Sequence, residues 1–455
     1  MHGDDLDELE REHAKLNLLR FTALNALSFE VLAGQILILF ARQAGASLGD
    51  IGLLSALLPF AAVIQLVVAP LVNRFGPRRV MLAGWGARTF VSAGLFLVPV
   101  AMARGGPAAG TQLLLVVMLG FYICRALGMS SWLPLVQEIV RPHDRGIYLS
   151  RQEWLRQASI VLINVITALY LIDTEGMTRF LHVIGLGVVA AAWSLVYLAR
   201  VPDVGSMAEP LDREYLSRAT APLRDAIFRR FLLFSVLLRM ALSAVPPFLV
   251  VFLRDGLNIS ASGVIAINTI GSLGAIATLV AWGRWTDRIG ARPVLGLVIA
   301  GIAGSLALWL LTDTSAVWLW LGVPLISLLI GIFTGGLTVS MSKFELGFIP
   351  VLHRAHYVAL SVTLTGLGSG AATLASGYLL QVLRGVNVQW GLLEIDRFRI
   401  FFLVMAVLLI VSMIPLHYLP EEHTRSLRAI VKRVIARRTL RMRRLLATFG
   451  GNNDG

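Results

Sequence analysis

Three ionisable side chains, Glu30, Arg125 and Arg239, fall in the middle of long apolar stretches of this 455-residue sequence. A charge near the centre of a bilayer costs about 2.5 kcal/mol or more on the insertion scale, so each needs a reason to be there. Arg125 and Arg239, one from each half of the chain, have the chemistry to grip an anionic or polar solute through charge-assisted hydrogen bonds. Glu30 is expected to balance Arg125 and to carry a coupling proton, since a carboxyl beside an arginine in a partly dry cavity can be pulled either way in its protonation. The plainer alternative is a static buried ion pair that only fixes helix register.

Helical spacing says what surrounds these charges. Ala26, Ala33 and Gly34 share a face with Glu30 and invite close approach of another helix. Ser235 and Ser243 lie one turn either side of Arg239, in a polar stripe that runs towards a break expected at Pro246-Pro247. Tyr122, Met129 and Trp132 share a face with Arg125, and Thr334, Thr338 and Ser342 make a similar stripe further on. Arg88 and Arg156, nearer the ends of their segments, are expected to snorkel to the interface. Gly366 and Gly370 read as ordinary helix packing.

Other chemistry is excluded by what is missing. A single cysteine, Cys124, allows no internal disulfide, Cys-rich zinc site or iron-sulfur cluster. None of the three lysines, Lys15, Lys343 and Lys432, follows a glycine, so there is no P-loop. No HExxH motif, nucleophile elbow or paired catalytic carboxylates appear, and the histidines are scattered. The reading is a non-enzymatic chain with no cofactor and no metal.

The elements that position the charges are membrane spans. The composition is 56% hydrophobic and 15% charged, with a mean hydropathy of +0.75, more apolar surface than a soluble core of this size can hide. A span takes about 20 mostly apolar residues. Such stretches fall near 21–41, 51–72, 79–103, 111–139, 147–171, 178–199, 230–253, 262–283, 292–312, 316–341, 356–382 and 398–418. The expected fold is therefore an all-α polytopic membrane protein, with two six-helix bundles over 21–200 and 230–419. A polar linker over 201–229 joins them, after an acidic amino-terminal segment, 1–20, that lacks the basic start of a signal peptide.

Orientation follows from the basic residues, which accumulate in cytoplasmic loops. With both termini inside, the inner loops and tails hold 29 of the 40 arginines and lysines, the outer loops seven and the spans four. The net charge of +13 is thus distributed by membrane insertion and is not a nucleic-acid-binding face. A basic tail over 420–455, with Leu427, Ile430, Val431, Val434 and Ile435 at helical spacing, is expected to rest on anionic inner-leaflet lipid. A bacterial cytoplasmic membrane and a monomer complete the expectation.

The two halves repeat. Asn73-Arg74-Phe75-Gly76-Pro77-Arg78-Arg79-Val80 follows the second span, and Asp287-Arg288-Ile289-Gly290-Ala291-Arg292-Pro293-Val294 follows the eighth, an offset of 214 residues. Arg145-Gly146-Ile147-Tyr148 and Arg354-Ala355-His356-Tyr357 echo each other after the fourth and tenth, an offset of 209. Gly76 and Gly290 permit tight turns that display arginines at one membrane surface.

These loops resemble the motif between the second and third helices of the major facilitator superfamily, which runs roughly glycine, x, leucine, x, aspartate, arginine, x, glycine, arginine, basic. Gly283 through Arg292 keeps the acid as Asp287, whereas the first copy has Ala69 and Asn73 instead. The resemblance implies twelve helices in two bundles related by a pseudo-twofold axis along the membrane normal. It implies a central cavity lined by the first, fourth, seventh and tenth spans, which carry the charges and stripes above. It also implies an inner gate resting more on Asp287 and Arg288 than on Asn73. Arg125-Ala126-Leu127-Gly128 fits a second family pattern loosely, without its glutamine and following glycine. The leading expectation is a secondary active transporter of a small anionic or polar organic solute, working by alternating access and coupled to protons. The alternative is a transporter-like membrane accessory protein, used for assembly, lipid handling or sensing, without coupled transport.

Overall fold

In the computed structural model the described residues are 7–141, 144–172, 176–203, 221–312, 315–348, 354–390 and 393–420. Most of the 201–229 linker and all of the tail after Pro420 lie outside them, as do the side chains of Asn73 and Arg354.

Among the described residues the helices make twelve spans. Glu8–Ala33 and Gln35–Gln43 form the first, Leu48–Ala61 and Ile64–Phe75 the second. The third runs from Pro77–Ser92 into Val98–Met129, a helix interrupted at Gly106 that also carries the fourth, and Trp132–Ile139 completes that span. Arg145–Tyr170 and Met177–Ala199 close the first bundle. The second bundle comprises Ala226–Val251, Ala261–Ile289, Ala291–Leu308, Val323–Phe348, Arg354–Val382 and Arg397–His417. Helices are the form in which an isolated segment satisfies all its backbone groups in lipid. One element departs from the all-helical expectation: Asn387–Trp390 pairs antiparallel with Leu393–Asp396, a short hairpin between the eleventh and twelfth spans.

Caps define several helix starts. Ser47 and Asp50 form a reciprocal capping box, and the Asp225 carboxylate accepts from the backbone N–H groups of Ile227 and Phe228. At the amino end, helix begins at Glu8 and extends the first span beyond the apolar stretch. There the buried Arg11 donates to the Ile139 carbonyl at 3.2 Å, and Glu8 pairs with Arg141 at 2.6 Å.

The repeat persists in backbone and side-chain detail. Gly76 has φ 83° and ψ 150°, and Gly290 has φ 106° and ψ 156°. Each ends one span and starts the next in a region that is essentially glycine-only. Arg78 donates to the Ala199 carbonyl at the end of the sixth span, and Arg292 donates to the His417 carbonyl at the end of the twelfth. Cations at helix carboxyl ends satisfy orphan carbonyls and complement the dipole. These arginines thus tie each bundle to itself. Gly290→Ala is expected to cost about 1–3 kcal/mol from the forced backbone alone, read as a lower thermal midpoint of the purified protein.

Large apolar side chains such as Phe90, Trp193, Leu325 and Val407 point outward, as they should where the surrounding solvent is lipid. We call the side bearing the Gly76 and Gly290 loops the basic face. The joints between bundles lie towards the opposite face. Arg42, in the last turn of the first span, pairs with Asp255, just after the seventh. Asn268 Nδ2 donates to Gln35 Oε1 at 2.7 Å. The second and eleventh spans meet backbone to backbone: a Cβ built on Gly377 would stand 2.6 Å from the Leu48 carbonyl oxygen and 2.9 Å from Gly52 Cα. Gly366 and Gly370 continue this seam against Pro59 and Phe60. They serve the contact between bundles and not the packing within one.

Candidate functional site

A cavity of about 560 Å³ lies between the bundles. The first span exposes its wall by breaking there. Gly34 has an extended backbone (φ −93°, ψ −154°), so helix stops at Ala33 and restarts at Gln35. A side chain at Gly34 would collide with the Glu30 carbonyl oxygen, 2.4 Å from the built Cβ. Interrupted helices at mid-membrane are tolerated where they line a cavity. The break expected at Pro246-Pro247 is absent, since helix continues to Val251 with both prolines lining the cavity.

Glu30, Gln35, Tyr122, Gln157 and Asn164 supply the polar wall from the first bundle, and Ser243, Asn268, Ser272 and Thr334 supply it from the second. Glu30 is the one carboxylate of this lining. The side chains of Asn164 and Gln35 reach it, and the cation acting on it is Arg156, which makes a two-pronged pair with Glu153 at 2.8 and 2.7 Å. The cation acting on Glu30 is therefore Arg156 in place of the expected Arg125, while the Arg156 side chain itself, 41% exposed, reaches one turn towards the basic face to Glu153.

Arg125 lies one turn from Tyr122 towards the basic face, with its guanidinium 4.6 Å from the Phe29 ring centroid. Arg239 lies one turn from Ser243 in the same direction and pairs with Glu345 at 2.9 Å, its side chain 49% exposed. Neither lines the cavity; both stand on the basic side of it, on facing bundles. Thr338 and Ser342 continue the exposed stripe from Thr334 towards that face.

Two other expected ligands belong elsewhere. Trp132 stacks on Phe21, centroids 6.2 Å apart, near the basic end of the first bundle. Ser235 is fully buried, its hydroxyl without a partner among the described residues. Of the gate residues, Asp287 pairs with Lys343 of its own bundle at 2.8 Å, and Arg145 donates to the Val140 and Gln137 carbonyls within the first bundle. Arg74 rests on the neighbouring Phe75 ring, while Gly283 and Arg288 lie on the eighth span near its basic end.

Arg88 overturns the interfacial reading outright. It is fully buried, its three guanidinium nitrogens have no hydrogen-bond partner among the described residues, and it lies 5.3 Å from Trp85 and 5.2 Å from Phe121. Ring faces attract a cation but do not replace hydrogen bonds lost on burial. Arg88→Met is expected to stabilise the protein by about 1–4 kcal/mol, the scale seen when buried ionic groups yield to packed apolar ones. A lower melting temperature for the variant would show that the cation has an unseen compensation.

Residues missed from sequence are chiefly amides: Gln35, Gln157, Asn164 and Asn268. Their signal was present, since a polar amide inside an apolar stretch needs a partner, but charges carried the weight.

The family model described as Major Facilitator Superfamily matches residues 231–452. No curated protein matches the sequence. Among solved structures, a mutant of the nucleoside transporter NupG superposes with a TM-score of 0.68 at 15% identity, covering 89% of this chain and 99% of that one. A D-xylose-proton symporter gives 0.67 at 14%, covering 90% and 98%. A bacterial homologue of the lysosomal transporter Spinster, inward-facing and unoccupied, gives 0.65 at 13%, covering 90% and 97%. At these identities the likenesses establish the fold. The family's sequence pattern therefore lies in the carboxyl-terminal half of the chain, and the two-bundle fold of these solved structures extends over nearly its whole length.

Proposed function

We propose that this chain is a secondary active transporter that moves a small polar organic solute by alternating access, with Glu30 as its proton carrier. The observation that carries the reading is the cavity shared by both bundles, held shut towards the opposite face and lined by a single carboxylate among amides and hydroxyls. Its volume falls in the range of small-molecule sites, about 300–1,000 Å³. Four amides and several hydroxyls offer paired donors and acceptors, which suits an uncharged solute bearing several hydroxyl or amide groups. Arg125 and Arg239, on the basic side of the cavity, steer solutes approaching from that face and do not grip them together.

The basic face is cytoplasmic, following the arginine distribution, so the arrangement is inward-facing with both termini in the cytoplasm of a bacterial cell. The experiment is transport by the purified protein in proteoliposomes over a panel of sugars, nucleosides and amides, with and without a pH gradient. Accumulation of a panel member only when the gradient is imposed is the expected result. Thermal stabilisation by a solute with no flux of that solute in either direction would overturn it in favour of an accessory protein that binds without transporting.

A further inference from the structure

Gln35 occupies an unusual position. It is the first residue after the Gly34 break, it lines the cavity, its Oε1 accepts from Asn268 Nδ2 of the other bundle at 2.7 Å, and its side chain also reaches Glu30. A primary amide has one acceptor oxygen and one donor nitrogen. With the oxygen committed to Asn268, the nitrogen is what remains for the Glu30 carboxylate. The amide orientation that satisfies an ionised Glu30 is thus the one that joins the two bundles.

Asn164 supplies the other half of a switch. It lines the cavity beside Glu30 on the fifth span, in the same bundle, and its Oδ1 is buried with no hydrogen-bond partner among the described residues. A protonated carboxyl gains an O–H donor and needs an acceptor. Asn164 Oδ1 is such an acceptor and engages nothing on the second bundle. We propose that Gln35 relays the protonation of Glu30 to the contact between bundles: ionised Glu30 fixes the Gln35–Asn268 bond that holds the opposite face shut, and protonated Glu30 turns to Asn164 and releases it.

Among the described residues the ionisable groups around Glu30 are few. The fifth span presents Arg156 with its partner Glu153, and the fourth presents Tyr122 in the cavity wall and Arg125 over Phe29. The sixth span offers Gly187 against Val31 and Leu32 at this depth, and the facing eighth span offers Asn268 and Ser272. The relay therefore runs through neutral amides whose reorientation costs no buried charge. It rests on the reading of Glu30 as the proton carrier.

Spin labels at Gln43→Cys and Asn258→Cys, exposed on either side of the opposite face, in a Cys124→Ser background would report its opening by the distance between them as pH is varied. In otherwise unsubstituted protein the open population is expected to grow as pH falls. Gln35→Ala and, from the other bundle, Asn268→Ala are each expected to raise the open-to-closed ratio at high pH about five-fold, the equivalent of one net hydrogen bond, and to flatten the pH dependence. Wild-type pH dependence in both variants, each with a wild-type melting temperature, would overturn the relay while Glu30→Gln still abolishes that dependence. Persistence of the pH dependence in Glu30→Gln would instead defeat the proton-carrier reading beneath it.

Discussion

Gly377→Leu is expected to abolish net transport while leaving the protein folded and able to bind solute. Gly377 sits where the eleventh span crosses the second, and the nearest atoms to a Cβ there are backbone: the Leu48 carbonyl oxygen at 2.6 Å, Gly52 Cα at 2.9 Å and Gly52 N at 3.2 Å. Backbone cannot swing aside as a flexible side chain can. The two spans belong to different bundles, so the relief available is separation of the bundles at the opposite face. Overpacking of this kind costs about 1–3 kcal/mol, which shifts the closed-to-open ratio by about 5- to 150-fold. A carrier that cannot close one face cannot complete alternating access.

Two measurements separate this account from simple misfolding. Solute uptake into proteoliposomes should fall to background, and a thiol at Gln43→Cys in a Cys124→Ser background should become more reactive from the opposite side. Gly52→Leu, on the facing helix, should do the same. Normal transport in both variants would mean that the seam is not the closure that transport requires. Gly366, further along the seam with the Pro59 carbonyl oxygen 2.8 Å from a Cβ built on it, should tolerate substitution no better, whereas Gly370 meets the Phe60 side chain, which can turn aside.

Glu30→Gln carries the second large effect. The substitution keeps shape and hydrogen-bonding capacity in a cavity of amides but removes the ability to gain or lose a proton. A proton moved with each solute down a gradient of one pH unit is worth about 1.4 kcal/mol, or a ten-fold accumulation of solute. The wild-type protein should approach that ratio for one-to-one coupling. The variant should equilibrate solute to a ratio near one, with exchange of labelled for unlabelled solute retained. Accumulation driven by the pH gradient in Glu30→Gln would show that another group carries the proton, and Glu153, which binds Arg156 at the edge of this network, would be the next carboxyl to test.

Arginines and amides inside the membrane take different places in this fold. Arg125 and Arg239 drew attention because a buried charge is costly, and both proved to stand beside the cavity, one stacked on Phe29 and one paired with Glu345. Gln35, Asn164 and Asn268 carry no charge, yet Gln35 and Asn164 reach Glu30, and Gln35 and Asn268 make a hydrogen bond between the bundles. The cost that makes a charge conspicuous also makes it seek a local partner, whereas an amide in hydrocarbon is cheap enough to be left for solute or for a neighbour that changes. Arg88 is the extreme case: the position near a span end suggested an interface, and its rotation about the helix axis buried it completely.

The amino-acid sequence by itself determined the twelve spans, the halving of the chain, the two glycine turns at Gly76 and Gly290, and Glu30 as a carboxyl at mid-membrane. Length, hydrophobicity and local backbone preference act along the chain, so they can be read along it. Only the tertiary structure decided which faces meet: Gln35 with Asn268, Gly377 with Gly52, and Glu30 with Asn164 and Gln35 in place of Arg125. In a bilayer the side of a helix that packs on protein and the side that meets lipid are both apolar. The periodicity that reveals the inner face of a soluble helix is therefore missing, and the rotation of each span is set by contacts with helices distant in sequence.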